Sequence, residues 1–221
     1  MKTRSADRRI EDLFQDHAVR RGFSDAVTAE VAAFQRATGI DDPSLVDLTH
    51  LAFVTIDHDD SMDLDQALYI ERRGDGYVVY YALADGAYYV RAGSALFTEA
   101  LARGASFYLP EICEPMLPRA LSEDLVSLNA EVDRRALVFE MALDATGQQT
   151  DTRLVRARVH SRAKLSYNGV QALLDDPDHS PLAGRDFTAS LQLLETVGRL
   201  RMAEARRRSV IRFQRAEIWL S

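Results

Sequence analysis

The sequence predicts an α+β fold, with a mixed, mainly antiparallel sheet, flanking helices and a short helical N-terminal extension. Two pairs of apolar runs are separated by short turn signals, as in antiparallel hairpins. Helical periodicity precedes these runs and follows them. The 221 residues are 47% hydrophobic and 28% charged, a globular composition that excludes a disordered tail, a collagen-like fibre and a coiled coil.

Residues 1–45 are predicted to form the helical extension, and residues 46–221 the main domain. Two apolar stripes with helical spacing support the extension: Ile10, Leu13, Phe14 and Val19 in the first, and Val27, Val31 and Phe34 in the second. Ser24 is a suitable N-cap for the second helix, and Gly39 stands at its expected end.

From Leu51 onward the pattern becomes that of strands. The runs LAFVTI, QALYIE and YVVYYALA follow one another, and Asp75-Gly76 before the last run predicts a hairpin. A helix is expected over residues 94–104, ending near Gly104.

The second half of the chain continues with a strand pair and then helices. The runs ALVFEMALD and TRLVRARVHS flank a turn at residues 145–147. In the second run apolar residues alternate with arginine and histidine, which predicts one buried and one basic face. Helices are expected from about 166 to 208, and the final EIWLS is strand-like.

Composition also excludes several classes of protein. No apolar run approaches the roughly 20 residues that span a bilayer, and no apolar core follows the basic N-terminus as in a secretory signal. A single cysteine, Cys113, excludes a disulfide framework and a cysteine-based zinc site, so we expect a cytoplasmic protein. The net charge of −7 averages over opposed regions, because residues 41–65 hold eight Asp and residues 199–215 hold seven Arg.

The most informative segment is an acidic cluster between two predicted strands. Five carboxylates fall within nine residues: Asp57, Asp59, Asp60, Asp63 and Asp65. Crowded carboxylates repel each other unless cations neutralise them, and Mg²⁺ is typically held by one or two carboxylates with substrate phosphates. Met62 and Leu68 stand where an EF-hand needs Gly and Glu, and His58 has no partner histidine at ligand spacing. A divalent-cation site and a solvated acidic loop both remain open.

Four segments in order carry a resemblance. TIDHDDSMDLDQAL resembles the acidic signature of the ribonuclease II/R (RNB) superfamily of exoribonucleases, in which Asp, five residues and Asp-x-Asp-Asp-Ala follow a short strand. YYALADGAYYV, SFYLPEICEPMLPRALSEDLVSLNA and HSRAKLSYNGVQALL resemble later segments of the same family. The resemblance runs from about Val46 to the C-terminus.

The resemblance implies roles for individual residues. It implies a site for Mg²⁺, with Mn²⁺ as an alternative, whose ligands are Asp57, Asp63, Asp65 and Gln66. Asp65 falls on the aspartate most needed for cleavage. Gln66 replaces the family's last acidic residue, so one negative charge is lost and metal affinity should weaken. Tyr108 falls on a tyrosine that stacks on a base, and Tyr167 on one linked to ribose recognition.

The implied function is metal-dependent hydrolysis of single-stranded RNA from its 3′ end, releasing nucleoside 5′-monophosphates. The chain would correspond to the N-terminal half of the catalytic domain. A C-terminal segment or a second chain would then supply the arginine that contacts the scissile phosphate. Two alternatives are an inactive RNA-binding remnant, which Gln66 favours, and a metal-stabilised structural domain without an RNA role.

Overall fold

The computed structural model describes residues 12, 14–16, 19–109, 112–211 and 213. The first half contains helix α1 (Asp25–Arg36), strands β1 (Val46–Asp47), β2 (Phe53–Asp57), β3 (Gln66–Arg73) and β4 (Gly76–Ala84), and helices α2 (Gly86–Tyr89) and α3 (Ala95–Arg103). The second half contains strands β5 (Phe107–Leu109) and β6 (Ile112–Glu114), a π-helix (Ala120–Leu125), strands β7 (Asp133–Leu143) and β8 (Gln149–Ser166), and helices α4 (Tyr167–Asp175) and α5 (Thr188–Arg207).

The main sheet closes on itself through the long strand β8. Strands β2, β3, β4, β7 and β8 are neighbours in that order, and each of these pairs is antiparallel. The first part of β8 pairs with β7, whereas its last residues pair in parallel with β2, from Ser161 beside Phe53 to Ser166 beside Asp57. The predicted α+β class with a mainly antiparallel sheet is therefore confirmed.

Apolar residues fill the inside of this closed sheet and the space under the C-terminal helices. The inner cluster includes Phe53, Val78, Val138 and Val159, all essentially buried. On the outer face of β2, Val54 packs with residues of α4 and α5 in a second cluster. The predicted alternation in β8 is confirmed, because Ala157 and Val159 are buried whereas their neighbours are more exposed.

The second helix of the extension begins where the sequence predicts. The Ser24 hydroxyl accepts a hydrogen bond from the Val27 amide, 3.4 Å away, and caps α1. The helix ends at Arg36, however, and not at Gly39. Gly39 instead allows the Tyr88 side chain to lie close to the backbone, since a Cβ at residue 39 would be 2.2 Å from the hydroxyl oxygen of Tyr88. Ile10 and Leu13 of the first predicted helix lie outside the described residues, and the domain boundary at residue 45 stays a prediction.

The predicted hairpin exists, but its loop is Gly74–Asp75, and Gly76 already belongs to β4. The predicted helix before Gly104 is confirmed, and Gly104 takes the left-handed conformation (φ 73°) that ends it. The EIWLS segment lies outside the described residues. Over the part of the chain that the structure describes, we find no helix with the length and apolar character needed to cross a membrane.

Replacing Gly76 by alanine should destabilise the closed sheet. An added Cβ would lie 2.1 Å from the backbone carbonyl oxygen of Leu143 on β7, so two paired strands would have to separate. We expect a loss of about 1–3 kcal/mol in the free energy of unfolding, measured by urea denaturation. Gly198→Ala is the matched control, because nothing lies within 4 Å of its added Cβ in α5. That variant should gain about 0.5–1 kcal/mol, and equal effects would contradict the argument.

Candidate active site

The acidic residues flank the loop between β2 and β3. Asp57 ends β2, Asp65 directly precedes β3, and Gln66 is the first residue of β3. Because the two strands are antiparallel neighbours, the end of one lies beside the start of the other. Asp57, Asp65 and Gln66 accordingly line one cavity of about 460 Å³.

Tyr167 reaches the same cavity through the pairing of β2 with β8. Asp57 lies beside Ser166, whose hydroxyl accepts from the Gly169 amide at 3.1 Å and begins α4. Tyr167 is the first residue of that helix, and it is 54% exposed. Its ring meets the ring of His58 edge-on, with centroids 5.2 Å apart.

The remaining wall of the cavity is mostly apolar. It is formed by Val54, Ile56, Ala67, Leu68, Tyr81, Val170, Gln171, Leu174 and Leu194. Burial raises the pKa of Tyr81, and the negative charge of Asp65 raises it further. The carboxylate of Asp65 is thus close enough to Tyr81 for its charge to act on the Tyr81 hydroxyl group.

Hydrogen bonds define the shape of the acidic loop. The Asp57 Oδ1 atom accepts from the His58 amide (2.7 Å) and from the Ser61 hydroxyl (2.9 Å). The Ser127 hydroxyl donates to the Met62 carbonyl and accepts from the amide of the buried Leu64, both at 2.9 Å. The first part of the loop is therefore shaped by its own hydrogen bonds, and its last part is anchored to Ser127.

Lys164 is an anchor that the sequence reasoning missed. Its ammonium group donates to the backbone carbonyls of Asp59 (2.7 Å) and Ser61 (2.6 Å). It lies on β8 opposite Thr55 of β2, and the sequence holds only one other lysine, Lys2. Because nearly all the basic residues of this chain are arginines, a lysine at this position stands out. This is the feature of the sequence that could have pointed to the anchor. A cation here also offsets part of the loop's negative charge.

Replacing Lys164 by methionine should loosen the acidic loop. Two charge-assisted hydrogen bonds are lost while the aliphatic stem is kept, which should cost about 1.5–3 kcal/mol of stability. Hydrogen–deuterium exchange over residues 58–65 should become faster. Arg153→Met removes the same charge from the exposed end of β8 and should leave the loop unchanged. Unchanged exchange in the Lys164 variant would show that the loop does not depend on this lysine.

Asp63 and Tyr108 form a second group beside this cavity. Asp63 does not belong to the cavity lining described above; its Oδ2 atom accepts from the Tyr108 hydroxyl at 3.5 Å. Tyr108 lies on β5, opposite Cys113 of β6, and is 70% exposed. Partial burial raises the pKa of Tyr108, and the charge of Asp63 adds to the effect. An exposed ring held near the acidic loop is suited to stacking on a base.

The donor atoms of the cavity suit a hard cation. Among the residues that the structure describes, no group of three or more His, Cys, Asp or Glu side chains is arranged to hold a metal. The cavity does bring together two carboxylates and the amide of Gln66, which are oxygen donors. Mg²⁺ needs few protein ligands, because water and substrate phosphates complete its shell. These residues therefore fit Mg²⁺ or Mn²⁺ better than a metal that prefers nitrogen or sulfur.

Comparison with protein families and curated proteins gives one consistent result. The family model described as RNB domain matches residues 45–220. Ribonuclease R of Vibrio parahaemolyticus is 38% identical over 174 residues, which are 78% of this chain and 21% of that protein. Ribonuclease R of Escherichia coli is 44% identical over 130 residues, or 58% of this chain and 16% of that protein. The chain thus spans about a fifth of the length of these curated relatives.

Solved structures show the same similarity. Mycoplasma genitalium RNase R in complex with ribose methylated single-stranded RNA matches with a TM-score of 0.82 and 31% identity, covering 90% of this chain and 31% of that one. Yeast Ssd1, a pseudonuclease, matches with a TM-score of 0.59 and 15% identity, covering 76% of this chain and 20% of that one. The second similarity concerns the fold alone.

Proposed function

Because this chain belongs to the RNB domain family, we propose that it takes part in the hydrolysis of single-stranded RNA from the 3′ end, with release of nucleoside 5′-monophosphates. The observation that carries the proposal is the shared cavity of Asp57, Asp65, Gln66 and Tyr167. The similar RNase R of Mycoplasma genitalium was solved with single-stranded RNA, which supports RNA as the ligand.

Each residue of the site has a proposed role. Asp57, Asp65 and Gln66 hold the cation, with Asp63 as a further ligand, and Asp65 is the residue on which cleavage depends most. A bound Mg²⁺ or Mn²⁺ would lower the pKa of a water molecule and offset charge on the phosphate. Tyr167 lies beside these ligands, where contact with a ribose 2′-hydroxyl would distinguish RNA from DNA. Tyr108 stacks on a base near the 3′ end.

The proposal extends to what lies outside this chain. Since the chain spans about a fifth of its curated relatives, we propose that further sequence or a second polypeptide supplies the arginine that stabilises the charge at phosphorus. A cytoplasmic location is also proposed, on the basis of the single cysteine.

A second candidate function is RNA binding without cleavage. Gln66 favours it, because an amide oxygen replaces a carboxylate and contributes no charge to cation binding. Such a protein would bind RNA with an affinity that falls with salt, and it would not need Mg²⁺.

A denaturing gel of 5′-labelled oligo(A) distinguishes the two functions. With Mg²⁺ or Mn²⁺ the proposed activity shortens the RNA stepwise from its 3′ end, and EDTA stops it. Intact RNA in all lanes, also when the segment that carries the proposed arginine is present, with binding retained in a gel-shift experiment, would favour the binding function. Loss of both cleavage and binding would contradict both proposed functions.

A further inference from the structure

Arg103, the last residue of α3, lies at the centre of a dense set of contacts outside the acidic cavity. Its side chain is only 3% exposed, and its Nε atom pairs with Glu99 at 2.9 Å. One terminal nitrogen donates to the backbone carbonyls of Arg20 (3.0 Å) and Pro115 (3.1 Å), and the other donates to that of Gly22. A buried cation with this many acceptors fixes every segment that supplies one.

The segments joined by Arg103 are the N-terminal extension and the base of the hairpin formed by β5 and β6. Pro115 directly follows β6, and the Met116 amide closes the base by donating to the Ser106 hydroxyl at 2.9 Å. Arg21 of the extension adds an ion pair with Glu114 of β6, 3.6 Å apart. The guanidinium of Arg103 also lies 4.0 Å from the ring centre of Phe23.

Helix α1 holds the other end of α3. The two carboxylate oxygens of Glu30 accept from the amides of Ala95 and Leu96, each at 2.9 Å. These are free amides of the first turn of α3, where a negative charge is favourable. Val27 and Val31 of α1 pack against Leu96 in a shared apolar cluster. The extension therefore fixes α3 at its start through Glu30 and at its end through Arg103.

The same hairpin presents Tyr108, whose ring has little support of its own. Tyr108 is 70% exposed, and its hydroxyl lies at hydrogen-bond distance from Asp63 at 3.5 Å. The position of the ring consequently depends on the backbone of the hairpin. Arg103 holds the end of that hairpin through the Pro115 carbonyl, and Arg119 also donates to the Cys113 carbonyl opposite Tyr108, at 3.0 Å.

We propose that Arg103 is a positioning residue for RNA binding, which acts by holding the Tyr108 hairpin against residues 20–23 of the N-terminal extension. These extension residues precede the start of the family match at residue 45, so part of the RNA-binding arrangement comes from outside the matched region. The inference rests on the proposed role of Tyr108 in base stacking.

The test compares RNA that carries bases with RNA that lacks them. Dissociation constants of the full chain are measured in EDTA for oligo(A) and for the same oligomer with abasic 3′-terminal nucleotides. The wild-type protein should prefer the oligomer with bases by about tenfold, the range for a stacked base. Arg103→Gln should reduce this preference to about twofold. A general loss of stability would weaken binding of both oligomers and would leave their ratio unchanged.

A double-mutant comparison shows whether Arg103 acts through Tyr108. Arg103→Gln combined with Tyr108→Ala should bind no more weakly than Tyr108→Ala alone. Additive losses of binding in the double variant would overturn the inference. So would a result in which Arg103→Gln still prefers the oligomer with bases as strongly as the wild type, while Tyr108→Ala has lost that preference. If Tyr108→Ala still prefers the oligomer with bases, the proposed stacking role of Tyr108 is wrong, and the inference about Arg103 is wrong as well.

A milder variant guards against misfolding of Arg103→Gln. Arg21→Gln removes the ion pair with Glu114 and a contact of the guanidinium with the Phe14 ring, 5.1 Å from its centre, but leaves Arg103 in place, and the Arg21 side chain is 60% exposed. It should lower the preference about twofold, whereas Arg153→Gln on the exposed part of β8 should not change it. An unchanged ratio in Arg21→Gln and in every folded Arg103 variant would overturn the inference.

Discussion

When the segment with the proposed arginine is present, replacing Asp65 by asparagine should lower Mg²⁺-dependent cleavage of single-stranded RNA on the order of 10³-fold, the typical effect of removing one charge-stabilising group from a reaction centre. The substitution keeps the shape of the side chain but removes its negative charge from the cavity. The backbone carbonyl of Asp65, which accepts from the Ala84 amide at 2.9 Å, is unaffected. The chain should therefore fold normally and still bind RNA.

Asp60→Asn is the matched control for this experiment. Asp60 is an exposed residue of the same loop, and it does not line the cavity with Asp65. It should keep near wild-type cleavage, although it loses the same charge. Comparable losses in both variants would indicate a general electrostatic effect of the loop. Retention of more than about a tenth of the activity in Asp65→Asn would contradict the assigned role.

A readout without metal or RNA checks the placement of Asp65. Burial and the charge of Asp65 both raise the pKa of Tyr81. In Asp65→Asn, burial and the smaller effect of Tyr167 remain, so the pKa of Tyr81 should fall toward its ordinary value without reaching it, as measured by NMR titration of labelled tyrosines. An unchanged pKa would show that the carboxylate does not face Tyr81.

Replacing Asp85 by alanine should have the largest effect on stability. The carboxylate of Asp85 has no exposed surface, and its Oδ2 atom lies 3.0 Å from the Nε atom of Arg156 and 3.5 Å from that of Arg135. Arg135 is also buried, 3.7 Å from the ring centre of Tyr88. Without Asp85, this guanidinium would lose its buried charge partner, at a cost of about 3–5 kcal/mol.

Urea denaturation of Asp85→Ala measures this loss, with Asp47→Asn as control. Asp47 pairs with Arg158 at 2.6 Å, but both side chains are substantially exposed, so water replaces the lost contact. We expect only a small change in the midpoint of that variant. A similarly small change in Asp85→Ala would mean that Asp42, 3.3 Å from Arg135, balances the buried charge by itself.

Much of the fold follows from interactions between residues close in the sequence. The N-cap at Ser24, the end of α3 at Gly104 and the existence of the hairpin between β3 and β4 follow from the sequence because capping and turn formation depend on a few adjacent residues, although the hairpin loop lies one residue earlier than the predicted Asp75-Gly76. The end of α1 was misplaced because Gly39 serves a contact with Tyr88, about fifty residues away.

The residues of the candidate site also fall into those that the sequence predicts and those that it does not. The acidic loop stands out in the sequence because its carboxylates are close neighbours, and the resemblance to a family added Tyr108 and Tyr167. Lys164 and Arg103 could not be found in this way, because their acceptors belong to segments that meet them only after folding.

The sequence alone therefore determined the class of fold, most element positions and the chemical character of the site, since all of these depend on local pattern and side-chain type. Only the tertiary structure decided which residues share the cavity. Parallel pairing of β8 with β2 brings Tyr167 beside Asp57, and the described contact of Asp63 is with Tyr108. The physical reason is that pairing between distant strands is selected by burial of the whole sheet, and no single segment of the sequence contains that information.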